Sequence, residues 1–313
     1  MRNKAEILEW EGRWAIRAGA ATLTAIALLI VGTIVGAKVH GDGEAEILRS
    51  AHEHGSSLLL GSTLQALGFA LLVVPLVVLF RAAQARSPRV RPQLIGLVVA
   101  APLFFSLGAI LNAVATTEAA DQFVAGKAEA GIGLTAAREE CQSDLDDKGA
   151  KEFGEEFGGG TPVATVQRCA GEKVDDEAAE NAVSGASLTG IATGFGFAGK
   201  LGLAIGLFYI GLWAMRTGLL SRFWGSLGMA LGVATLLGLV LFLVIWFAYI
   251  ALLLLGRLPG GRPPAWAAGE AVPWPTPGEK AAESLEATEP PEEDEPPAPG
   301  ESGERRKRKQ RGD

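Results

Sequence analysis

The chain has 313 residues, is 49% hydrophobic and carries a formal net charge of −7. Its apolar residues fall in blocks of about 20, the length that crosses a hydrocarbon core, which excludes an ordinary water-soluble globule. The charge average hides a segregation: acids gather in one long loop and the tail, bases in short loops and at the extreme C-terminus.

Residues 1–17 are polar and mixed in charge. Ala18–Ala37 is the first apolar run. Val35-Gly36-Ala37 resembles a cleavage site, but a signal peptide's apolar core is only about 7–15 residues long. The run is therefore expected to be an uncleaved first span. Lys38–Ser56 is hydrophilic and holds all three histidines, His40, His52 and His54, beside Asp42, Glu44, Glu46 and Glu53. Imidazoles and carboxylates are metal ligands, so the three histidines are candidate metal residues. The competing reading is a solvated loop. On a helix His52 and His54 would point about 200° apart.

The second span is Leu58–Phe80, with Gln65 and Pro75 inside it. Gln65 needs a partner away from lipid, and Pro75 is expected to kink or relax the helix. Next comes the basic stretch Arg81–Arg91, with Arg81, Arg86, Arg89 and Arg91 and no acid. Short arginine-rich loops between spans stay in the cytoplasm, so these four arginines set the topology. The third span is Leu94–Ala115, with Asn112 near its far end.

An acidic insert follows. Glu118–Ala186 holds 16 Asp and Glu against 6 Lys and Arg. Its first part has helix-forming composition, Val163–Val166 is a candidate strand, and Asp175–Val183 is a short helix. One span separates it from the basic loop, which places it outside. Its two cysteines, Cys141 and Cys169, are expected to form a disulfide on that oxidising side. Free thiols and a redox pair are the alternatives.

The fourth span lies within Leu188–Met215, with Gly190/Gly194 and Gly202/Gly206 spaced for close helix approach. Lys200 is mid-membrane if the span starts near Leu188, and within snorkelling reach of water if it starts at Gly196. Phe223–Gly256 is apolar throughout. It is expected to make two short spans turning near Gly238, and one long span is the alternative. The tail after Arg257 is rich in Pro and Glu and is expected to be disordered. Its terminal cluster Arg305–Arg311 has the charge to touch anionic lipid, with folding onto the adjacent acidic tract as the alternative.

No phosphate-cradling loop, nucleophile elbow or zinc-protease motif is present. The segments Leu207–Gly225 (including Tyr209-Ile210-Gly211-Leu212-Trp213) and Gly260–Trp266 resemble uncharacterised actinobacterial multi-span membrane proteins. The resemblance extends over about two-thirds of the chain. It implies an integral membrane protein with an even number of spans and supplies no activity.

The expected fold is thus all-α: a polytopic transmembrane helical bundle of about six spans, or five, in the cell membrane. Its parts are a cytoplasmic N-terminus (1–17), three spans (18–115), an acidic extracytoplasmic loop domain (116–187), the remaining spans (188–256) and the tail (257–313). The expected role is structural or interaction. The alternatives are a small-molecule or ion transporter built on Lys200, Gln65 and Asn112, and a membrane-bound metal-dependent enzyme. Expected partners are the lipid bilayer, anionic lipid, other proteins and further copies of the chain. No cofactor and no nucleic acid are expected.

Overall fold

The computed structural model describes residues 4–41, 43–128, 131–239 and 242–274. Asp42, the Glu/Pro-rich tract and the basic cluster Arg305–Arg311 lie outside the described residues. The chain divides into Met1–Pro273 and Trp274–Asp313, and the architecture below is that of the first unit. Among the described residues all regular structure is helical. The helices are α1 (Lys4–Gly36), α2 (Glu44–Glu53), α3 (Gly55–Leu71), α4 (Val73–Arg86), α5 (Ile95–Val124), α6 (Leu134–Lys148), α7 (Ala150–Glu156), α8 (Pro162–Gly185), α9 (Thr189–Arg216), α10 (Arg222–Ala234), α11 (Leu243–Leu255) and α12 (Pro264–Ala268).

Four helical segments are long and apolar enough to cross a membrane: α1, α3 with α4, α5, and α9. The break between α3 and α4 falls at Leu72, three residues before Pro75. Proline has no N–H to return to the preceding turn, so the ladder loosens there. Pro102 sits inside an unbroken α5. That helix runs nine residues past Ala115, the expected end of its span, and carries the start of the acidic insert as a rigid extension.

The insert is helical where a strand was expected. Val163–Val166 lies in the first turn of α8, because Thr161 caps that turn by accepting from Ala164 N at 3.4 Å and Pro162 opens it. Those signals outweigh the β-branched residues. Asp175–Val183 belongs to the same helix.

The helices close a ring in the order α1, α3, α5, α9, α10, α11 and back to α1. Between helices in lipid no hydrophobic drive acts, and close backbone approach is what can hold such a ring together. A Cβ on Gly32 of α1 would lie 2.7 Å from the Gly61 carbonyl oxygen of α3, and one on Gly199 of α9 would lie 2.5 Å from Phe105 N of α5. Gly202 meets Ala101 in the same seam, whereas a Cβ on Gly190 or Gly194 would meet nothing within 4 Å. Gly199→Val is therefore expected to cost about 1–3 kcal/mol through forced separation of α5 and α9. Thermal unfolding of the purified protein measures it, with Gly194→Val as the near-neutral comparison.

Phe223–Gly256 is broken into two helices. A 3₁₀ turn at Thr235–Leu237 ends on Gly238, whose φ of 81° is left-handed and suits a residue without Cβ. The arms are short. Arg222–Leu237 and Leu243–Leu255 extend about 24 and 20 Å at 1.5 Å per residue, against about 30 Å of hydrocarbon. The pair forms a hairpin that stops part-way along the ring. Gly225 meets Gly211 and Met215, Gly232 meets Ala204, and Thr235 Oγ1 donates to the Lys200 carbonyl at 3.4 Å. The hairpin tip is thus level with Lys200, eleven residues or about 16 Å from the start of α9.

Candidate functional site

The ring has a basic end and an acidic end, and each gathers polar chemistry. At the basic end Arg81 and Arg86 belong to α4, so the expected loop is shorter than Arg81–Arg91. Arg81, Arg89 and Arg91 are exposed, while Arg86 is 8% exposed and Glu11 of α1 3%. The Arg86 guanidinium forms a fork-to-fork pair with Glu11, its second arm at 2.9 Å. It also donates to the Ala265 carbonyl through Nε at 3.2 Å and Nη2 at 2.8 Å, and to the Ala82 carbonyl at 3.0 Å. Its plane faces the Trp266 ring at 5.7 Å. One arginine therefore ties α1 and α4 to the segment after α11.

That segment is held in place as far as Val272, where a disordered tail from Arg257 onward was expected. Three anchors explain the difference. Arg262 donates to the Leu253 and Leu254 carbonyls and so satisfies the open end of α11. Trp266 Nε1 donates to the Leu219 carbonyl at 3.0 Å, and Val272 N donates to the Thr217 carbonyl at 3.2 Å. Residues 4–11, 86, 217–219 and 262–272 thus meet at the same end of the ring.

At the acidic end α2, α6, α7 and α8 sit over the ends of α5 and α9. Their cores are small: Ala45, Leu48, Ala51, Ala119, Ala179 and Ala182 in one cluster, and Ala137, Phe153 and Val166 around the cysteines in another. The Cys141–Cys169 disulfide is formed and links α6 to α8. Asp176 accepts from Ala45 N at 3.0 Å, Asp175 pairs with Arg49, and Glu118 accepts from Ser187 Oγ at 2.7 Å. These bonds brace the insert against α2 and α5.

Between α2, α6 and α8 lies an open cleft of about 580 Å³, lined among others by Glu44, Glu140, Lys173, Asp176, Glu177 and Glu180. Lys173 pairs with Asp144 at 3.1 Å and Glu140 at 3.3 Å. Burial pulls its pKa down, but the hydrogen bonds to those two carboxylates outweigh it and hold the ammonium above its ordinary value. Glu177 is committed to Ile132 N. The cleft remains acidic because five carboxylates face one cation.

The histidines do not converge. His40 Nδ1 bonds the Lys38 carbonyl at 3.0 Å, His52 Nδ1 the Asp121 carboxylate at 2.8 Å, and His54 Nδ1 the Ser50 carbonyl at 3.2 Å. Among the described residues no three His, Cys, Asp or Glu side chains stand close enough to share a metal ion. Gln65, Asn112 and Lys200 are likewise separate. Gln65 Nε2 donates to Thr33 Oγ1 at 3.5 Å, Asn112 is exposed, and Lys200 is half-buried beside the hairpin tip.

Glu11, Ala265 and Trp266 went unnoticed as a group in the sequence, where only the lone acid Glu11 ahead of an apolar run gave a weak signal. No family model matches the chain, and no curated protein or solved structure matches it.

Proposed function

We propose that the chain is an integral protein of the cell membrane with a structural or interaction role, in which the acidic end is an extracytoplasmic contact surface. The basic end lies in the cytoplasm, with four full spans and a part-depth hairpin between the two ends. This even topology brings the N-terminus and the folded start of the tail to the cytoplasmic side. Kinship with uncharacterised actinobacterial membrane proteins is part of the same reading.

One observation carries it: the helices around the acidic cleft are braced to one another by a disulfide, an ion pair and a carboxylate cap, and to the end of α5 through Glu118 and Asp121. A contact surface needs that rigidity, since ordering it on binding would subtract from affinity. The five carboxylates select a cationic partner, such as a basic protein segment. A photo-crosslinking residue at Ile47, on the cleft wall, tests this in cells of origin. The expected result is a discrete protein adduct that is lost with Glu44→Lys/Glu180→Lys. Absence of any adduct, or an adduct indifferent to both charge reversals, counts against the role.

A further inference from the structure

The part-depth hairpin leaves a gap in the ring. At the basic end α10 and α11 close the space between α9 and α1. Above the tip no described residue does, and α1, α3 and α5 turn their inner faces toward the surroundings. The gap is a lateral groove of about 480 Å³, within the range of sites that hold a small ligand, about 300–1,000 Å³. Ile26, Leu29 and Ile30 of α1, Phe69 and Phe105 form its walls, and Leu243 and Phe247 of α11 form its floor.

The groove lies in the outer leaflet of the proposed topology. The hairpin arms rise about 20–24 Å from the basic end, past the midplane of a core about 30 Å thick. The polar groups sit at the outer rim. Thr33 is three residues from the end of α1, about 5 Å inside it. Its hydroxyl donates to the Leu29 carbonyl at 2.8 Å and accepts from Gln65 Nε2 at 3.5 Å. Gln65 keeps one amide hydrogen and its carbonyl oxygen without a partner among the described residues. Unmet polar groups are costly at this depth, and an ester carbonyl entering from the rim would meet the free N–H. Close backbone contact of Gly32 with Gly61 fixes α1 against α3 behind the pair, so the wall is preformed.

We infer that this groove binds one acyl chain of a glycerophospholipid from the outer leaflet, with Gln65 donating to the ester carbonyl and Ile26–Ile34 and Phe69 enclosing the chain. The groove explains the placement of Gln65, a residue that lipid alone would not satisfy. It is independent of the acidic contact surface.

The test uses the full chain in phosphatidylcholine nanodiscs doped with phosphatidylglycerol bearing a diazirine midway along one acyl chain. After irradiation, adducts are expected to concentrate on the peptides holding Leu29–Ile34 and Phe69–Leu72. They should exceed those on the exposed α9 face at Ile205 and Phe208 by about fivefold, the value of one hydrogen bond. Ile30→Trp, which fills the groove from its rim, should lower adducts at Phe69–Leu72 to the α9 level. Gln65→Leu should erase a preference for ester-linked over ether-linked phosphatidylglycerol. Even labelling of all apolar faces in the wild type overturns the site, and needs no variant to fold. Displacement by free fatty acid or a polyprenol at lower concentration than by phosphatidylglycerol overturns the choice of phospholipid.

Discussion

Arg86→Ala is expected to destabilise the protein by about 3–5 kcal/mol, the cost of stranding a buried charge whose partner has been removed. Glu11 would then sit buried with only the more distant Arg262 charge to offset it, and the Ala265 carbonyl would lose both bonds from the guanidinium and keep only the one from Gly269 N at 3.2 Å. The loss is mechanical as well as electrostatic, because the same guanidinium holds α1, α4 and the 262–272 segment together. The double variant Glu11→Leu/Arg86→Met separates the two effects. Replacing a buried pair with apolar groups of similar volume is often close to neutral. What remains is the loss of the guanidinium's bonds to the Ala265 carbonyl, which still accepts from Gly269 N, about 0.5–1.5 kcal/mol. Arg81→Ala, on the exposed face of the same helix, should change stability by less than about 0.5 kcal/mol. Unfolding in mixed micelles measures the series. Trypsin reports the structural consequence, since release of the segment frees the backbone at Arg257 for cleavage. If Arg86→Ala matches Arg81→Ala, the pair contributes nothing beyond a surface charge.

The second large effect is expected from the disulfide. Cys141 and Cys169 are 28 residues apart, and closing a loop of that length restricts the unfolded chain by about 3.5 kcal/mol. The cores around the bond are built of alanines, Leu145, Phe153 and Val166, too few large side chains to compensate. Cys141→Ser/Cys169→Ser should therefore unfold α6 and α7 while leaving the ring intact. Hydrogen exchange should show fast amides over Leu134–Glu156 with protection retained in α5 and α9. The N-terminal half of α8 should loosen with them, because Val166, Cys169 and Ala170 pack on α6. Retained protection across Leu134–Glu156 would mean that the ion pairs of Lys173 with Asp144 and Glu140 suffice to hold the insert.

Much of the fold was legible in the sequence because membranes impose a length. The apolar blocks gave the four helices long enough to cross a membrane, and Gly238 in Phe223–Gly256 gave the turn. The two cysteines gave their bond, since no third thiol competes. What stayed hidden was set by distant partners. Arg86 looks like its three exposed neighbours until Glu11, 75 residues earlier, is placed beside it. Its other partner is a backbone carbonyl, which leaves no mark in a sequence. The residues after Arg257 have the proline and glycine content of a disordered tail, yet Arg262 and Trp266 supply two anchors to carbonyls that α11 and the turn after α9 leave open. Thr161 and Pro162 announced a helix start that the valines after them obscured. The groove had no sequence signature at all, because it is the space left by a hairpin whose arms are shorter than its neighbours.

The central claim is that the basic end, with both the α4–α5 turn and the segment around Glu270, lies in the cytoplasm and the acidic end outside. Single cysteines at three exposed positions, Pro88, Ser143 and Glu270, test it with a membrane-impermeant maleimide on intact cells. The chain's own two cysteines are bonded and silent. The predicted result is labelling of Ser143→Cys in intact cells, and of Pro88→Cys and Glu270→Cys only after permeabilisation. Labelling of Pro88→Cys or Glu270→Cys from outside, or protection of Ser143→Cys, would contradict it.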